Sequence, residues 1–323
     1  MKAIQFKRYG GPEVLQLVEV ETPQAKDNEL VIRVKASSVT RADTMMRQGR
    51  PYIGRLMLGL FRPKYRFCGT GFGGEVVAIG RQVTLFNVGD QVFGESIFGS
   101  GTNAEYLCVP EDAVLQTMPD KLSAVEACCI CDGPLTSLSF LRDVGKLQSG
   151  QTLLIIGASG SLGSAAVQLG KYLGAQVTAV CSGANKALVK SLGADHVIDY
   201  TVDDFRKNGQ HYDVIFDTVG KSSFCESRNS LGDTGVYLTP VFNIANLLAM
   251  VWSAKLSAKK AKFAATGMRD KKQLRTMITE LKQLYEIGAL KTVIDRKYDM
   301  HLIAEAHEYI EKGHKKGNVI IEA

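Results

Sequence analysis

Between residues 153 and 180 the chain reads LLIIGASGSLGSAAVQLGKYLGAQVTAV: a buried apolar strand, a glycine-rich turn, a helix and a second strand with nothing between them. A helix can begin this close to a buried strand only if the turn is nearly free of side chains. The order strand, turn, helix, strand is a βαβ unit, and it commits this part of the chain to a parallel sheet. The helix start presents N–H groups and the positive end of a dipole, which together suit a pyrophosphate. Gly160 lets the backbone approach the phosphates without a Cβ in the way, and Gly163 lets the helix pack closely on the strand. The spacing is G-x-x-G-x-x-G, with Ala158 in the place of the first glycine of the dinucleotide fingerprint. Gly157, Ala158, Ser159, Gly160, Ser161, Leu162 and Gly163 are the candidate phosphate-binding residues. The competing reading is a tight structural turn in a domain that binds no ligand.

The strand that follows indicates the type of dinucleotide. An NAD site places Asp or Glu about 20 residues past the glycines, where it binds the ribose 2′-hydroxyl. Here the strand ends AVCSGANK, and the next acid is Asp195. Ser182, Asn185 and Lys186 stand there instead. A hydroxyl and an ammonium suit a dianionic 2′-phosphate, so NADPH is the expected cofactor.

The rest of the chain divides by pattern. The first 120 residues carry short apolar alternations at Ala3–Phe6 and Leu30–Ala36, with runs at Glu75–Ile79 and Gln91–Phe93 closed by glycine turns. They read as a β-rich domain. Ser123 and Glu126 then offer a capping box to an alanine-rich stretch, Ser123–Asp132, that reads as a buried helix. Strands follow at Thr152–Ile156, Gln176–Cys181, His196–Asp199, Asp213–Thr218 and Gly235–Thr239, alternating with helices at Gly163–Leu173 and Asn185–Leu192. After residue 267 the spacing of Leu274, Met277, Leu281 and Leu284 predicts a long amphipathic helix, then a helix at Leu302–Lys312 and a closing strand at Asn318–Ile321. The expected fold class is α/β. A β-rich domain, 1–120 completed by 268–323, accompanies a Rossmann doubly wound parallel-sheet domain, 121–267.

Composition narrows the function classes. The net charge is +6, from 39 basic and 33 acidic residues spread along the chain. That excess is too mild for a nucleic-acid footprint. Met1–Gly10 lacks the apolar core of a signal peptide, and no apolar run reaches the roughly 18 residues a membrane span needs. Seven cysteines, an odd number with three grouped at Cys128, Cys129 and Cys131, suggest a reducing, intracellular compartment, and a cytoplasmic location is expected. The C-x-x-C of Cys128 and Cys131 lies in the alanine-rich stretch and reads as core packing, with a redox pair as the alternative; no second C-x-x-C is present to complete a metal site. The segment Ile244–Phe263 mixes Leu247, Leu248, Met250, Val251 and Trp252 with Lys255, Lys259, Lys260 and Lys262. It reads as a cleft wall, a subunit contact or a membrane-surface helix.

The opening MKAIQFKRYGGPEVLQL and the stretches GGEVVAIGRQVTLFNVGDQVFG, GPLTSLSFL, GASGSLGSAAVQLGKYLGAQV, LGADHVIDY and YDVIFDTVG carry a wider likeness, as does the closing ALKTVIDRKYDMHLIAEAHEYIEKGHKKGNVII. In these segments the chain resembles the medium-chain dehydrogenase/reductase superfamily, in its zinc-independent quinone oxidoreductase (zeta-crystallin-like) branch. The resemblance implies a GroES-like catalytic domain beside the Rossmann domain and hydride transfer from nicotinamide C4. It implies Thr136 near the nicotinamide, Ser182 and Lys186 near the 2′-phosphate and Tyr200 near the adenosine end. The Gly220 turn and Thr239–Phe242, with Val241, would line the cofactor, and Asn318 fills a place often held by lysine. Zinc relatives use a cysteine near Thr40 and a histidine near Thr70. No histidine precedes His196, so no metal is expected, although Asp132 lies near the third ligand place. Many quinone oxidoreductase relatives carry asparagine at Thr40 and aspartate at Gly71.

The expected activity is NADPH-dependent reduction of a small quinone or α,β-unsaturated carbonyl, with Thr40 and Tyr52 as candidate hydroxyls for the developing oxyanion. One alternative is an enoyl-thioester or other carbonyl reductase of the same fold. Another is a non-catalytic NADPH-binding sensor or scaffold. A homodimer is the expected assembly.

Overall fold

The computed structural model describes residues 1–96 and 101–323. Zinc relatives carry a four-cysteine lobe where Gly94–Cys108 here has a single cysteine, and residues 97–100 of that stretch lie outside the described residues. Fifteen strands are named in chain order: β1 (Lys2–Gln5), β2 (Gln16–Glu19), β3 (Glu29–Val39), β4 (Gly71–Ile79), β5 (Gln91–Glu95), β6 (Tyr106–Pro110), β7 (Val114–Thr117), β8 (Thr152–Ile156), β9 (Gln176–Cys181), β10 (His196–Asp199), β11 (Tyr212–Asp217), β12 (Leu231–Thr239), β13 (Lys260–Phe263), β14 (Ile294–Asp299) and β15 (Asn318–Glu322). The chain separates into two compact units. One holds Met1–Asp132, Asp270–Ile287 and Thr292–Ala323; the other holds Gly133–Arg269 and Gly288–Lys291.

In the second unit β8 to β13 form one sheet in the order β10-β9-β8-β11-β12-β13, every neighbour parallel. This is the doubly wound order, and it explains the near-continuous apolar runs of β8, β9 and β11: central parallel strands are covered on both faces. Leu154, Ile156, Val180, Ile215, Phe224 and Tyr237 belong to its core. The order reverses between β8 and β11, which puts the glycine turn at the switch point.

In the first unit the sheet runs β14-β15-β3-β4-β5-β7, with β6 also paired to β3. Alternation sends Leu30, Ile32 and Val34 of β3 into a core with Phe72, Val76 and Val92. A second core joins Ile4, Val39, Ile303, Ile310, Val319 and Ile321. This cluster is why the C-terminal helix and strand belong with the first residues of the chain. It also holds a fully buried guanidinium. Arg47 pairs with Glu311, which in turn accepts a hydrogen bond from Gln48 Nε2 at 2.7 Å, so the pair ties helix Arg41–Gln48 to helix Ile303–Glu311.

Several boundaries differ from those expected. The chain leaves the first unit at Asp132, not near residue 120, because Cys128 and Cys129 pack with Ala36 and Ile320. The helix expected over Ser123–Asp132 spans only Ala124–Ala127, although its Ser123–Glu126 capping box is present. A new helix starts at Gly133 with Pro134 in its first turn, where a missing N–H costs nothing. Cys128, Cys129 and Cys131 are buried free thiols. The segment Ile244–Phe263 is a helix, Ile244–Leu256, followed by edge strand β13. Lys259 Nζ donates to the carbonyls of Arg228 and Leu231, and Lys260 Nζ to that of Ser253, so these two lysines act as internal ties.

Replacing Glu311 with Gln leaves the Arg47 charge buried without a counter-ion and should cost about 3 kcal/mol, read as a lower urea midpoint. Arg47→Met, which removes the charge altogether, should cost less. The reverse ranking would show that the pair is not what stabilises this contact.

Candidate functional site

Each unit carries part of the candidate machinery. In the second unit, Gly157 closes β8 with φ +80°, and the N–H groups of Gly157 and Ala158 both donate to Val180 O, at 3.1 and 3.0 Å. Gly160 caps helix Ser161–Tyr172 without a side chain to accept from the first turn, and no acid lies in that turn. The helix therefore starts as a bare positive end aimed out of the sheet edge. The two glycines differ in kind. A Cβ on Gly163 would strike Gly157 O and lie 2.6 Å from Ala158 Cα, whereas a Cβ on Gly160 would meet nothing nearer than Gly157 O at 3.6 Å. Gly163 is required by packing, and Gly160 keeps open the approach that a phosphate would use.

The other cofactor candidates lie along the same carboxyl edge of the sheet. Ser182 follows β9, and Asn185 Nδ2 donates to Ser182 Oγ at 3.2 Å and to Ser159 Oγ at 3.0 Å. Asn185 is buried, and its Oδ1 has no hydrogen-bond partner among the described residues. Lys186 Nζ lies 3.5 Å from Asp199 Oδ2, at the end of β10, and Tyr200 beside it is exposed. Gly220 has φ +68°, and a Cβ there would lie 2.8 Å from Val241 Cγ1. Thr239 Oγ1 accepts from Val241 N at 3.2 Å. Thr136 is half-buried on helix Gly133–Leu138, which also sends Ser137 Oγ to Leu162 O at 2.8 Å.

One residue organises this edge and was not singled out from the sequence. Asp217 ends β11 fully buried. Its Oδ1 accepts from the N–H groups of Val219 and Gly220 at 3.1 and 2.8 Å, and its Oδ2 from Ser222 N at 2.8 Å and Tyr237 OH at 3.0 Å. Burial, then the Asp217 charge, pushes the Tyr237 phenol well above its ordinary range.

In the first unit Thr40 follows β3 and caps helix Arg41–Gln48. Its Oγ1 donates to Asp43 Oδ2 at 2.7 Å and accepts from Asp43 N at 3.1 Å. The candidate hydroxyl is thus buried and already shared with a carboxyl. Burial raises Asp43 to about 6 against the pull of Thr40, with Asp132 adding to the rise and Lys315 opposing it. Glu95, the last residue of β5, is raised to about 8 by burial and then by Asp132 and Asp43. Its Oε2 is shielded and has no hydrogen-bond partner among the described residues. Nearby in the chain's other core, burial lowers His307 to about 3, and its Nε2 lies 3.7 Å from Cys68 Sγ. Asn318 is buried, with Nδ2 donating to Val293 O at 3.0 Å. Tyr52 is 65% exposed, with the Arg55 guanidinium 4.9 Å from its ring centroid.

The departure at Gly71 has a steric cause. A Cβ there would lie 2.5 Å from Cys128 O and 2.6 Å from Ser38 Oγ, so no aspartate fits. Among the described residues no three His, Cys, Asp or Glu side chains are grouped to hold a metal ion. A shallow groove of about 540 Å³ in this unit is lined by Asp112, Lys271, Lys272 and Arg275, with Lys271 on Asp112 at 2.9 Å and Arg275 on Glu111 O at 2.8 Å.

Comparison with known proteins now places the chain. An alcohol dehydrogenase GroES-like domain matches residues 26–120, and a zinc-binding dehydrogenase family matches residues 192–321. A chloroplast envelope quinone oxidoreductase homolog from Arabidopsis thaliana is 30% identical over 100% of this chain and 98% of its own. The chain belongs to the medium-chain dehydrogenase/reductase superfamily, in its quinone oxidoreductase branch. It is an oxidoreductase, with a GroES-like domain and a Rossmann domain. The quinone oxidoreductase structure from Coxiella burnetii is 29% identical with a TM-score of 0.87, covering 100% of this chain and 99% of that one. A mycobacterial protein solved with NADPH is 26% identical with a TM-score of 0.84, covering 100% of both chains.

The acids that sequence reasoning passed over share a signal. Asp217, Asp199 and Glu95 each close an apolar strand at its carboxyl end.

Two measurements follow from these geometries. Gly160→Ala should fold with wild-type stability and weaken dinucleotide binding about tenfold, the loss of one charge-assisted contact. Gly163→Ala should instead cost about 2 kcal/mol or more of stability. Glu95→Gln probes the buried carboxyl. As pH rises from the usual glutamate range to about 8, the unfolded chain gives up this proton while the folded carboxyl still holds it, so stability falls over that window. The variant should escape this loss and exceed wild type by roughly 2 kcal/mol at pH 9 in urea unfolding. An unchanged pH dependence would assign the loss to another group.

Proposed function

We propose that this protein is an NADPH-dependent reductase of quinones or α,β-unsaturated carbonyls that works without zinc. The observation that carries the reading is the uncapped helix start at Gly160, open to an anion, with Asn185 and Lys186 at the end of the neighbouring strand. The residues fit the cofactor. Gly160 leaves space over the turn, Asn185 Oδ1 awaits a donor, and the Lys186 ammonium offers charge. Gly157–Gly163 would hold the pyrophosphate, Ser182 and Lys186 the 2′-phosphate, and Tyr200 the adenosine end. Thr136, Gly220, Thr239 and Val241 would line the nicotinamide half. When bound, NADPH supplies a hydride from nicotinamide C4.

The chain's own residues must orient the acceptor, stabilise the oxygen that gains charge, and deliver a proton. Thr40 is the hydroxyl for the oxyanion, and the Asp43 carboxyl sets its proton. With Asp43 ionised, the Thr40 proton is held by Asp43 Oδ2; with Asp43 protonated, that proton is released toward a substrate oxygen. Because Asp43 is raised to about 6, turnover should fall as pH rises above that value. Tyr52 is a substrate contact in the same reading, held by Arg55 over its ring. The lack of a cysteine at Thr40 and of a histidine at Thr70 supports the zinc-free chemistry. A named quinone oxidoreductase among the relatives supports the substrate class.

The test is to titrate the protein with NADPH and NADH by nucleotide fluorescence, then follow loss of reduced-nicotinamide absorbance with a panel of quinones and enones. Tighter binding of NADPH with turnover of a conjugated acceptor is expected. Binding without turnover across the panel would reduce the protein to a nucleotide sensor, and binding of neither nucleotide would end the reading.

A further inference from the structure

The acid that an NAD site carries on its second strand is missing from β9, but the sheet supplies one from the next strand. Asp199 pairs in register with Cys181, the last residue of β9, directly before Ser182. Its Oδ2 comes so close to Gly183 that a Cβ at that position would collide with it, and the same oxygen is 3.5 Å from Lys186 Nζ. Its Oδ1 is fixed by Thr201, which donates from its N–H at 3.1 Å and from its hydroxyl at 2.7 Å. These bonds, with Lys186 assisting, hold the Asp199 carboxyl below the usual range, so it is ionised at neutral pH. The other nearby acid, Asp195, is engaged elsewhere: both its oxygens lie 2.8 Å from Lys171 Nζ, and Oδ2 also accepts from Val177 N.

We infer that Asp199 sets the balance between NADPH and NADH by sharing Lys186 with the 2′-phosphate and by placing a fixed negative charge beside it. The inference rests on the cofactor reading above and deepens it. A 2′-phosphate arriving at this edge brings nearly two negative charges at neutral pH. It must take Lys186 from a carboxylate that Thr201 keeps in place, and it remains in that carboxylate's field. The 2′-hydroxyl of NADH has no such conflict, because it can donate to Asp199 Oδ2. The strand edge therefore holds both an ammonium suited to one nucleotide and a carboxylate suited to the other. Such a site uses both nucleotides, with a preference that depends on a single side-chain charge. Asp199 is a positioning residue for NADPH, acting through Lys186, and would touch only the ribose of NADH.

The experiment measures kcat and KM for NADPH and NADH, with one quinone acceptor, on wild type, Asp199→Asn, Lys186→Met and Thr201→Val. Asn keeps an oxygen for Thr201 and removes the charge. Its ratio of kcat/KM for NADPH over NADH should rise about fivefold or more, carried by KM with kcat unchanged. Thr201→Val removes one of the bonds that fix the carboxylate but leaves its charge, and its ratio should rise less than that of Asp199→Asn. Lys186→Met should raise KM for NADPH alone. Asp199→Ser, a smaller neutral residue, should repeat the Asp199→Asn result and replaces it if that variant does not fold. If the neutral variants leave the ratio unchanged while Lys186→Met weakens NADPH, the role of Asp199 is overturned and the NADPH reading stands. If Lys186→Met also leaves NADPH use unchanged, the 2′-phosphate site itself is wrong.

Discussion

Helix Ser161–Tyr172 can begin where it does only because residue 163 has no side chain. Any Cβ there would press on Gly157 O and Ala158 Cα, and the helix would have to lift from the end of β8. The rest of the dinucleotide unit follows from that contact. Seating the helix start against β8 leaves its N–H groups pointing past the sheet edge. It also fixes the turn after β8 against the N–H acceptor at Val180 O, which keeps β9 in register beside it. Asn185 then reaches both Ser182 and Ser159, and one polar rim joins the turn after β9 to the turn after β8.

Asp217 does for the other side of the switch point what the glycine turn does for the first. A fully buried carboxylate is tolerated only when its oxygens are satisfied, and here backbone N–H groups and the Tyr237 hydroxyl do so. In return the carboxylate holds the left-handed turn at Gly220 against Val241. The first unit shows the opposite condition. Asp43 and Glu95 are buried with Asp132 in their field, and their carboxyls keep protons well above the usual range. The second unit thus invests its acids in ordering backbone, while the first keeps acids that can still exchange protons near neutral pH.

The elements with a strong local signature were legible in the chain itself. β8 and β9 start and end at the residues their apolar runs suggest, because a parallel strand in the middle of the sheet is covered on both faces and must be largely apolar. The Ser123–Glu126 capping box was legible for the same reason, since both of its hydrogen bonds are local. The helix expected to continue to Asp132 was not, because what ends it is packing of Cys128 and Cys129 on Ala36 and Ile320, residues far away in sequence. The lysines after Leu256 also read differently once folded: a basic run on paper is a set of carbonyl ties around an edge strand.

Sequence alone determined the parallel-sheet class, the glycine turn between strand and helix with its separate steric tasks for Gly160 and Gly163, and the lack of zinc ligand types at Thr40 and Thr70. These depend on residue identity at short spacing, where chemistry and chain geometry leave few choices. Tertiary structure alone decided which charges meet. Lys186 stands 13 positions before Asp199, and nothing local links them; the pairing of β9 with β10 brings the carboxylate beside the ammonium. Likewise, Thr40 reads as a lone hydroxyl in sequence, yet in the fold it donates to a carboxyl whose own affinity for protons is raised by burial. Electrostatic effects depend on distance and solvent exclusion, and both are properties of the packed molecule rather than of the chain.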